Sequence, residues 1–334
     1  MPPLYVVEQG SRVSVTRRRL LVRKNGSLIV KAPLAHTESV VLFGNIGLTT
    51  PAIKRMMGAG VDVVFLTSRG QYVGRMVGPV SKFGALRLSQ YERVCDPAFT
   101  LRAARAIVCG KLLNMRTLLH RYNRALGDAD IGEASERLGR MADQAWRAER
   151  LETLLGIEGS GSAAYFGVFG RLLWHGWDFT KRARRPPPDP VNVLLSLGYT
   201  LLTHALEASV AAAGLDPYLG VMHTVAYGRP SLALDLVEEF RAIVVDSVVL
   251  RCLNKELIMP TDFTRSENPD RPVVFSQDGI RRFIQTYEAR LATEIKHPLT
   301  GERVTYRRAF DVQARLMAAC LRDGDPGYRP FLVR

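Results

Sequence analysis

Short apolar runs rich in β-branched residues, separated by Gly, Asn and Ser, fill the first quarter of the chain. Runs such as LYVV, RVSV, SLIV and VDVVFL, all within residues 4–80, are typical of β-strands. One helix is predicted among them at TTPAIKRMMGAG, where Thr50 can cap the helix, Pro51 suits its first position and Gly58 to Gly60 end it. The pattern therefore predicts a mainly β N-terminal domain.

From about residue 97 onward, apolar residues recur three and four positions apart, which predicts amphipathic helices. Asp96 and Pro97 supply a cap and a first-turn residue for a long helix that ends near Arg124. Two stretches rich in Pro and charge, 181–190 and 259–274, are predicted to be loops. The C-terminal GDPGYRPFLVR is expected to be a flexible tail.

These patterns together predict an α+β protein with two domains. We expect a β-rich, sandwich-like domain over residues 1–85, a linker over 86–96 and a larger all-α domain over 97–334. A chain of 334 residues with 47% hydrophobic content has enough apolar material for real cores without disulfides or structural metals.

The charge distribution favours a polyanionic partner. The 46 Lys and Arg residues exceed the 32 Asp and Glu residues by 14, and residues 1–89 hold 13 basic against 3 acidic side chains, so +10 of the +14 lies there. Such an excess raises the local concentration of nucleic acid around a protein. Simple solubility is the alternative explanation of the same charge.

The cysteines and the apolar segments bear on where the protein works. Its four cysteines form no CxxC pair, which argues against a zinc ribbon or a disulfide framework and favours free thiols in a reducing cytoplasm. The N-terminal MPPLYVVEQG lacks the features of a secretory signal, so we expect a cytoplasmic protein. Residues 190–206 carry no formal charge, but their polar residues favour a buried core helix over a membrane span.

The first candidate for chemistry is Glu158 in LLGIEGSGSAAYF. Each Gly inside a helix costs about 1 kcal/mol relative to Ala. Gly159 and Gly161 therefore suggest that something approaches this backbone closely. Close packing of one helix on another is the alternative.

The second candidate is GVMHTVAYGRPSLALDLVEEFR, in which His223 precedes a turn and Pro230 begins a helix. Asp235 and Glu238 lie three residues apart on that helix, so both carboxylates share one face. A solvated acidic face is the alternative. A site with one His and two or three carboxylates is rich in oxygen and suits Mg²⁺ or Mn²⁺ better than structural zinc.

Four segments carry a resemblance to a known family: EGSGSAAYF, RRPPPDPVNVLLSLGYTLL, GVMHT and GRPSLALDLVEEFR together resemble the CRISPR-associated spacer integrases. The likeness extends to SVVLFGNIGLTTPAIKRMMGAGVDVVFLTSRGQYVGRMVGPV in the β region and to the CGKLLNMRTLLHRYNR helix. It implies that Glu158, His223 and Glu238 bind the divalent ion. Asp235 matches a further acid of the family, and Arg241 matches a basic residue that faces DNA.

The resemblance implies a metal-dependent DNA endonuclease and integrase that uses Mg²⁺ or Mn²⁺. Such an enzyme joins the 3′-hydroxyl ends of captured double-stranded DNA, the prespacer, to the CRISPR leader-repeat by transesterification. It also implies a homodimer, in which the β domain serves dimerisation and partner or DNA contacts. The further partners implied are a small ferredoxin-like adaptation protein and, as an open possibility, an accessory trimming nuclease; no membrane is involved.

The expected catalytic residues are Glu158, His223, Asp235 and Glu238. Asp235 has three open roles, which are to position water, to hold a second ion or to orient His223. The candidate DNA contacts are Arg171, Arg182, Arg184, Arg185 and Arg241. Two other functions stay open, namely a metal-dependent nuclease acting on branched repair intermediates and a non-catalytic nucleic-acid platform.

Overall fold

The computed structural model describes residues 3–78, 83–270, 272–323 and 327–333. The chain divides into two compact units, residues 1–82 and residues 83–334. Strands dominate the first unit and helices dominate the second, so the predicted α+β class is confirmed.

The strands of the first unit form two four-stranded sheets. The strands are β1 (Leu4–Val6), β2 (Arg12–Thr16), β3 (Arg19–Lys24), β4 (Ser27–Pro33), β5 (Ser39–Phe43), β6 (Gly47–Leu48), β7 (Asp62–Leu66) and β8 (Tyr72–Met76). One sheet has the order β1-β5-β7-β8, with β8 antiparallel to its parallel neighbours. The other has the order β4-β3-β2-β6, in which only β6 pairs in parallel. Buried side chains of both sheets, such as Val13 and Val63, belong to one core.

Helix α1 (Thr50–Gly58) lies between β6 and β7 in the chain, as predicted, but its cap is one residue earlier. The Thr49 hydroxyl accepts a hydrogen bond from the Ala52 N–H at 3.3 Å. Pro51 lies in the first turn, where its missing N–H costs nothing. Met56 and Ala52 of α1 complete the core of the first unit.

The second unit contains nine α-helices among its described residues. They are α2 (Gly84–Val94), α3 (Pro97–Leu126), α4 (Ala129–Arg147), α5 (Leu151–Phe169), α6 (Pro190–Ala212), α7 (Ser231–Phe240), α8 (Ser247–Asn254), α9 (Gln277–Leu291) and α10 (Tyr306–Asp323). A π-helix (Arg241–Asp246) joins α7 to α8. Two short antiparallel pairs complete the unit: β9 (Phe263–Arg265) with β10 (Val273–Phe275), and β11 (Glu294–Lys296) with β12 (Arg303–Thr305).

The segment predicted as a linker, residues 86–96, is mostly helix α2. Its Gln90 is fully buried and donates from its side-chain amide to the carbonyls of Asp216 at 2.9 Å and Leu219 at 3.1 Å. In the sequence, a polar side chain in a short segment indicates a linker. The sequence does not reveal that the partner of Gln90 lies in a loop 126 residues away. The loop predicted over 259–274 is likewise interrupted, because it contains β9 and the start of β10.

Helix α6 is long and apolar enough to cross a membrane, but 61% of its apolar window is buried inside the protein. It is therefore a core helix of the second unit. The expected flexible tail is also wrong for residues 327–333, since Tyr328 and Phe331 are buried. Both residues donate hydrogen bonds to the buried carboxylate of Glu239, the Tyr328 hydroxyl at 2.5 Å and the Phe331 N–H at 2.8 Å.

Candidate active site

Helices α3, α5 and α7 bring three distant charged residues together. Lys111 of α3 is 3% exposed, and its ammonium donates to Oε1 of Glu158 on α5. The same Nζ lies 2.8 Å from Oε2 of Glu238 on α7. Glu158 and Glu238, here called the acidic pair, therefore share one cation although 80 residues separate them in the chain.

Glu238 stays ionised because two cations face it. Its side chain is 4% exposed, and Arg241 Nη2 lies 3.0 Å from its Oε1. Burial acts to raise the pKa of Glu238, but Arg241, Lys111 and His223 outweigh burial and lower the pKa to about 2.

Asp235, fully buried one turn before Glu238 on α7, holds His223 in place. Its Oδ2 accepts from the N–H groups of Val221 at 2.6 Å and Met222 at 3.0 Å, and its Oδ1 accepts from the His223 N–H at 2.9 Å. A Cβ on Gly220 would lie 2.8 Å from Oδ2, so the turn closes around the carboxylate only with glycine there.

The imidazole makes a further bond to the same carboxylate. His223 Nδ1 lies 2.6 Å from Asp235 Oδ1, so Nδ1–H donates in the neutral ring and Nε2 carries the lone pair. A carboxylate that fixes the tautomer of a His is the usual arrangement behind a metal-binding imidazole. Of the three roles left open for Asp235, this geometry favours orienting His223. The interpretation of the two acids as a solvated face is wrong, because both are buried.

The π-helix after α7 builds a polar network behind the acidic pair. Its first and last residues, Arg241 and Asp246, are five apart and lie on one face of such a helix. Asp246 accepts from the Tyr199 hydroxyl at 2.6 Å and the Tyr165 hydroxyl at 2.9 Å. Burial raises the pKa of Asp246 to about 6. The guanidiniums of Arg241 and Arg182 lie 4.7 and 5.3 Å from the centroid of the Tyr199 ring.

A cavity of about 380 Å³ lies beside this network. Its basic lining residues are Lys111, Lys181, Arg182, Arg184 and Arg241. Arg182 is held there by Asn192 Oδ1 at 2.8 Å and Ser196 Oγ at 3.0 Å. Within the described part of the chain, Nε of Arg182 and Nε of Arg241 are buried without a hydrogen-bond partner. The cavity is therefore cationic, which suits an anionic group.

The other predicted residues lie differently. Arg171 is half-exposed and pairs with Asp128 at 2.9 Å and with Asp130, and neither Arg171 nor the exposed Arg185 is among the residues that line the cavity. A Cβ on Gly161 would overlap Leu112 Cδ2 of α3, whereas one on Gly159 would meet nothing within 4 Å. The close approach inferred from these glycines is therefore helix packing, at Gly161.

Sequence reasoning missed Lys111, Tyr199 and Asp246. All three lie in largely apolar helical segments. There, a polar residue among hydrophobic ones is the only sequence signal of a buried polar contact. A buried Lys is rarely tolerated without a charged partner, so Lys111 in the largely apolar CGKLLNM could have been flagged.

The residue types of this site fit a hard divalent ion. Two carboxylates and one imidazole with a free lone pair form the oxygen-rich donor set that such ions take. Among the residues described, no three His, Cys, Asp or Glu side chains stand close enough to hold an ion as they are. The Lys111 ammonium already lies where one cation contacts both carboxylates. The donors therefore fit the ion on condition that Lys111 moves.

Comparisons with known proteins agree on one family. A family model described as CRISPR associated protein Cas1 matches residues 4–289. The CRISPR-associated endonuclease Cas1 3 of Thermus thermophilus is 37% identical over 330 residues, which cover 99% of this chain and 95% of that protein. The exonuclease Cas4/endonuclease Cas1 fusion of Geobacter sulfurreducens is 38% identical over 99% of this chain and 60% of the fusion.

Solved structures show the same fold. A casposase bound to integration product superposes with a TM-score of 0.85 and 21% identity, over 98% of this chain and 93% of that one. A chain of a Cas6-RT-Cas1–Cas2 complex also superposes with a TM-score of 0.85, at 24% identity, over 99% of this chain and 36% of that one. These two likenesses concern the fold.

Proposed function

This chain belongs to the Cas1 family of CRISPR-associated proteins, and from that premise we propose that it is a divalent-metal-dependent DNA endonuclease and integrase of CRISPR adaptation. Its reaction is the joining of 3′-hydroxyl ends of captured DNA to the CRISPR repeat by transesterification. One observation supports this most: two carboxylates from different helices gather around one cation beside a cavity lined by five basic residues. A cation that stabilises the charge developing at phosphorus and an attraction for polyanions both favour phosphodiester chemistry.

Each side chain has a role in this proposal. Glu158, Glu238 and His223 would hold the Mg²⁺ or Mn²⁺ ion, and Asp235 fixes the tautomer and the orientation of His223. When bound, a divalent ion neutralises phosphate charge and stabilises the attacking and leaving oxygens. Arg182 and Arg184 face the cavity and hold the DNA backbone by charge.

Arg241 has two partners in this arrangement. Its guanidinium neutralises Glu238 and lies over the Tyr199 ring, and it also lines the cavity. A planar guanidinium has five N–H donors, so the pair with Glu238 leaves others for a phosphate. Asp246 holds Tyr199 through its hydroxyl and therefore fixes the surface on which Arg241 and Arg182 lie.

The printed names of relatives support the partners. A relative at 38% identity is fused to the exonuclease Cas4, which supports an accessory trimming nuclease. A fold neighbour belongs to a complex with Cas2, which supports a small adaptation protein as partner. We propose that the protein works as a homodimer in the cytosol, on double-stranded prespacer and leader-repeat DNA.

Substitution of the proposed ligands tests the metal-dependent reaction. Glu158→Ala, His223→Ala and Glu238→Ala should each abolish Mn²⁺-dependent joining of a labelled duplex to a repeat-containing plasmid, followed on a gel. Asp235→Asn should reduce the rate by about 10- to 100-fold, because it acts through His223. Glu136→Ala is the matched control, since that side chain is 73% exposed on α4.

The gel also separates the competing functions. Full joining by Glu158→Ala with unchanged yield would remove the metal assignment. Products that are only shorter than the substrate, never joined, would favour a nuclease on branched repair intermediates. A non-catalytic platform is the least favoured alternative, because burying ionised carboxylates without a chemical use is costly.

A further inference from the structure

Lys111 has an unusual place for a lysine. Its side chain is 4% exposed, on a helix whose neighbouring residues Ile107, Val108 and Leu112 are apolar and buried. Lysines are almost never buried without a charged partner. Here there are two such partners, and they are the two carboxylates proposed to hold the metal.

The charges of this cluster balance without a metal. The two negative carboxylates of the acidic pair face the two positive groups of Lys111 and Arg241. Removing one partner from such a buried set leaves an uncompensated charge and is strongly destabilising. A divalent ion placed between the carboxylates would meet the ammonium at the same position, and two cations cannot share it.

The ammonium has a second place to go. Lys111 also lines the cationic cavity, together with Arg182 and Arg184. Four methylene groups joined by rotatable bonds separate the Lys111 ammonium from the backbone of α3. Nζ can therefore turn toward the cavity while the backbone stays in place. In the cavity the ammonium would face other cations, and an anion bound there would be needed to stabilise it.

We propose that Lys111 is the resident cation of the acidic pair and exchanges with the divalent ion. When the metal binds, the ammonium turns into the cavity and contacts a DNA phosphate there. This inference rests on the proposed function and adds a positioning residue to it. Its consequence is coupling: the lysine weakens metal binding to free protein, and DNA relieves that competition, so metal and DNA promote each other's binding.

Direct metal binding tests the exchange. Mn²⁺ affinity is measured by electron paramagnetic resonance on EDTA-treated full-length protein, with and without a duplex whose 3′ ends lack the hydroxyl. Without DNA, Lys111→Met should bind Mn²⁺ about tenfold more tightly than the wild type. This is the gain expected if the acidic pair is free of the ammonium in about one wild-type molecule in ten. The duplex should tighten Mn²⁺ binding in the wild type far more than in Lys111→Met.

Lys181→Met is the matched control. Lys181 lines the same cavity and is exposed, and among the ion pairs found in the described residues it makes none with Glu158 or Glu238. Its replacement should leave Mn²⁺ affinity without DNA unchanged.

A second measurement uses the wild type alone, in case Lys111→Met does not fold. Reductive methylation followed by mass spectrometry should modify Lys111 slowly in metal-free protein and faster with saturating Mn²⁺, while Lys181 reacts at one rate in both. Equal Mn²⁺ affinity in wild type and Lys111→Met, or unchanged methylation of Lys111, overturns the exchange alone. Failure of the wild type to bind Mn²⁺ with or without DNA overturns the metal site and the exchange with it.

Discussion

The effect of Asp246→Asn on stability follows from the burial of this residue and from its raised pKa. Asp246 is fully buried and accepts one hydrogen bond each from the hydroxyls of Tyr199 and Tyr165. Burial raises its pKa from 3.8 to about 6. The folded protein therefore holds this proton more tightly than the unfolded chain does. The contribution of Asp246 to stability is complete below pH 3.8 and is lost as the pH rises through about 6.

The magnitude follows from the size of that displacement. A pKa raised from 3.8 to about 6 corresponds to about 3 kcal/mol, at about 1.4 kcal/mol for each tenfold change in the proton affinity. Asparagine has the same shape and no charge, and it can accept from one tyrosine hydroxyl while donating to the oxygen of the other. The free energy of unfolding of Asp246→Asn, relative to wild type, should thus rise by about 2 kcal/mol between pH 4 and pH 7, because part of the full effect is already lost at pH 4.

Urea unfolding in metal-free buffer at several pH values, followed by circular dichroism, measures this difference. Asp143→Asn, at an exposed position of α4, reports the effect of removing one surface charge and is subtracted. A difference between Asp246→Asn and wild type that stays constant over the window, or falls as the pH rises, would refute the reasoning. It would show that the ionised carboxylate is required as the counter-charge of Arg182 and Arg241.

Two further predictions use neighbouring residues as matched pairs. Gly161→Ala should lower the free energy of unfolding by about 1–3 kcal/mol, because the added Cβ overlaps the buried Leu112. Gly159→Ala places its Cβ in open space and should raise the free energy of unfolding by up to about 1 kcal/mol. Thermal unfolding of both variants checks this. Arg184→Met should weaken DNA binding, because Arg184 lines the cavity. It should also reduce the magnitude of the slope of log binding constant against log salt concentration by about 0.9. Arg185→Met should leave the affinity and the slope unchanged, and fluorescence-anisotropy titrations measure both quantities.

The fold was predictable from the sequence wherever periodicity and capping signals agreed. Helix α3 begins at Pro97 with Asp96 as its cap, and Asp96 Oδ1 accepts from the Ala98 N–H at 2.9 Å. Prediction failed where a distant polar partner decides the structure. Gln90 makes α2 part of the second unit through a loop 126 residues away, and Glu239 anchors residues 327–333 through bonds to Tyr328 and Phe331.

The candidate site was predictable in its residues more than in its arrangement. The resemblance supplied Glu158, His223 and Glu238, and the structure brings the two glutamates to one ammonium. No spacing rule could predict Lys111 as that cation, because it lies 47 residues from Glu158 on a different helix. Local spacing did suggest a shared face for Asp235 and Glu238, but their burial depends on helices elsewhere in the chain.

The charge balance of the site explains why metal and DNA should bind together. In free protein the acidic pair is neutralised by Lys111 and Arg241, so a divalent ion adds two positive charges to a buried set that is already balanced. Two phosphates of a DNA strand bring two negative charges, and the cavity beside Lys111 places basic side chains where those phosphates would lie. The charges of the acidic pair, of Lys111 and Arg241, of one divalent ion and of two phosphates again sum to zero. Because neither ligand alone reaches that balance, each should raise the affinity for the other, and metal-dependent cutting should stay low until DNA is in place.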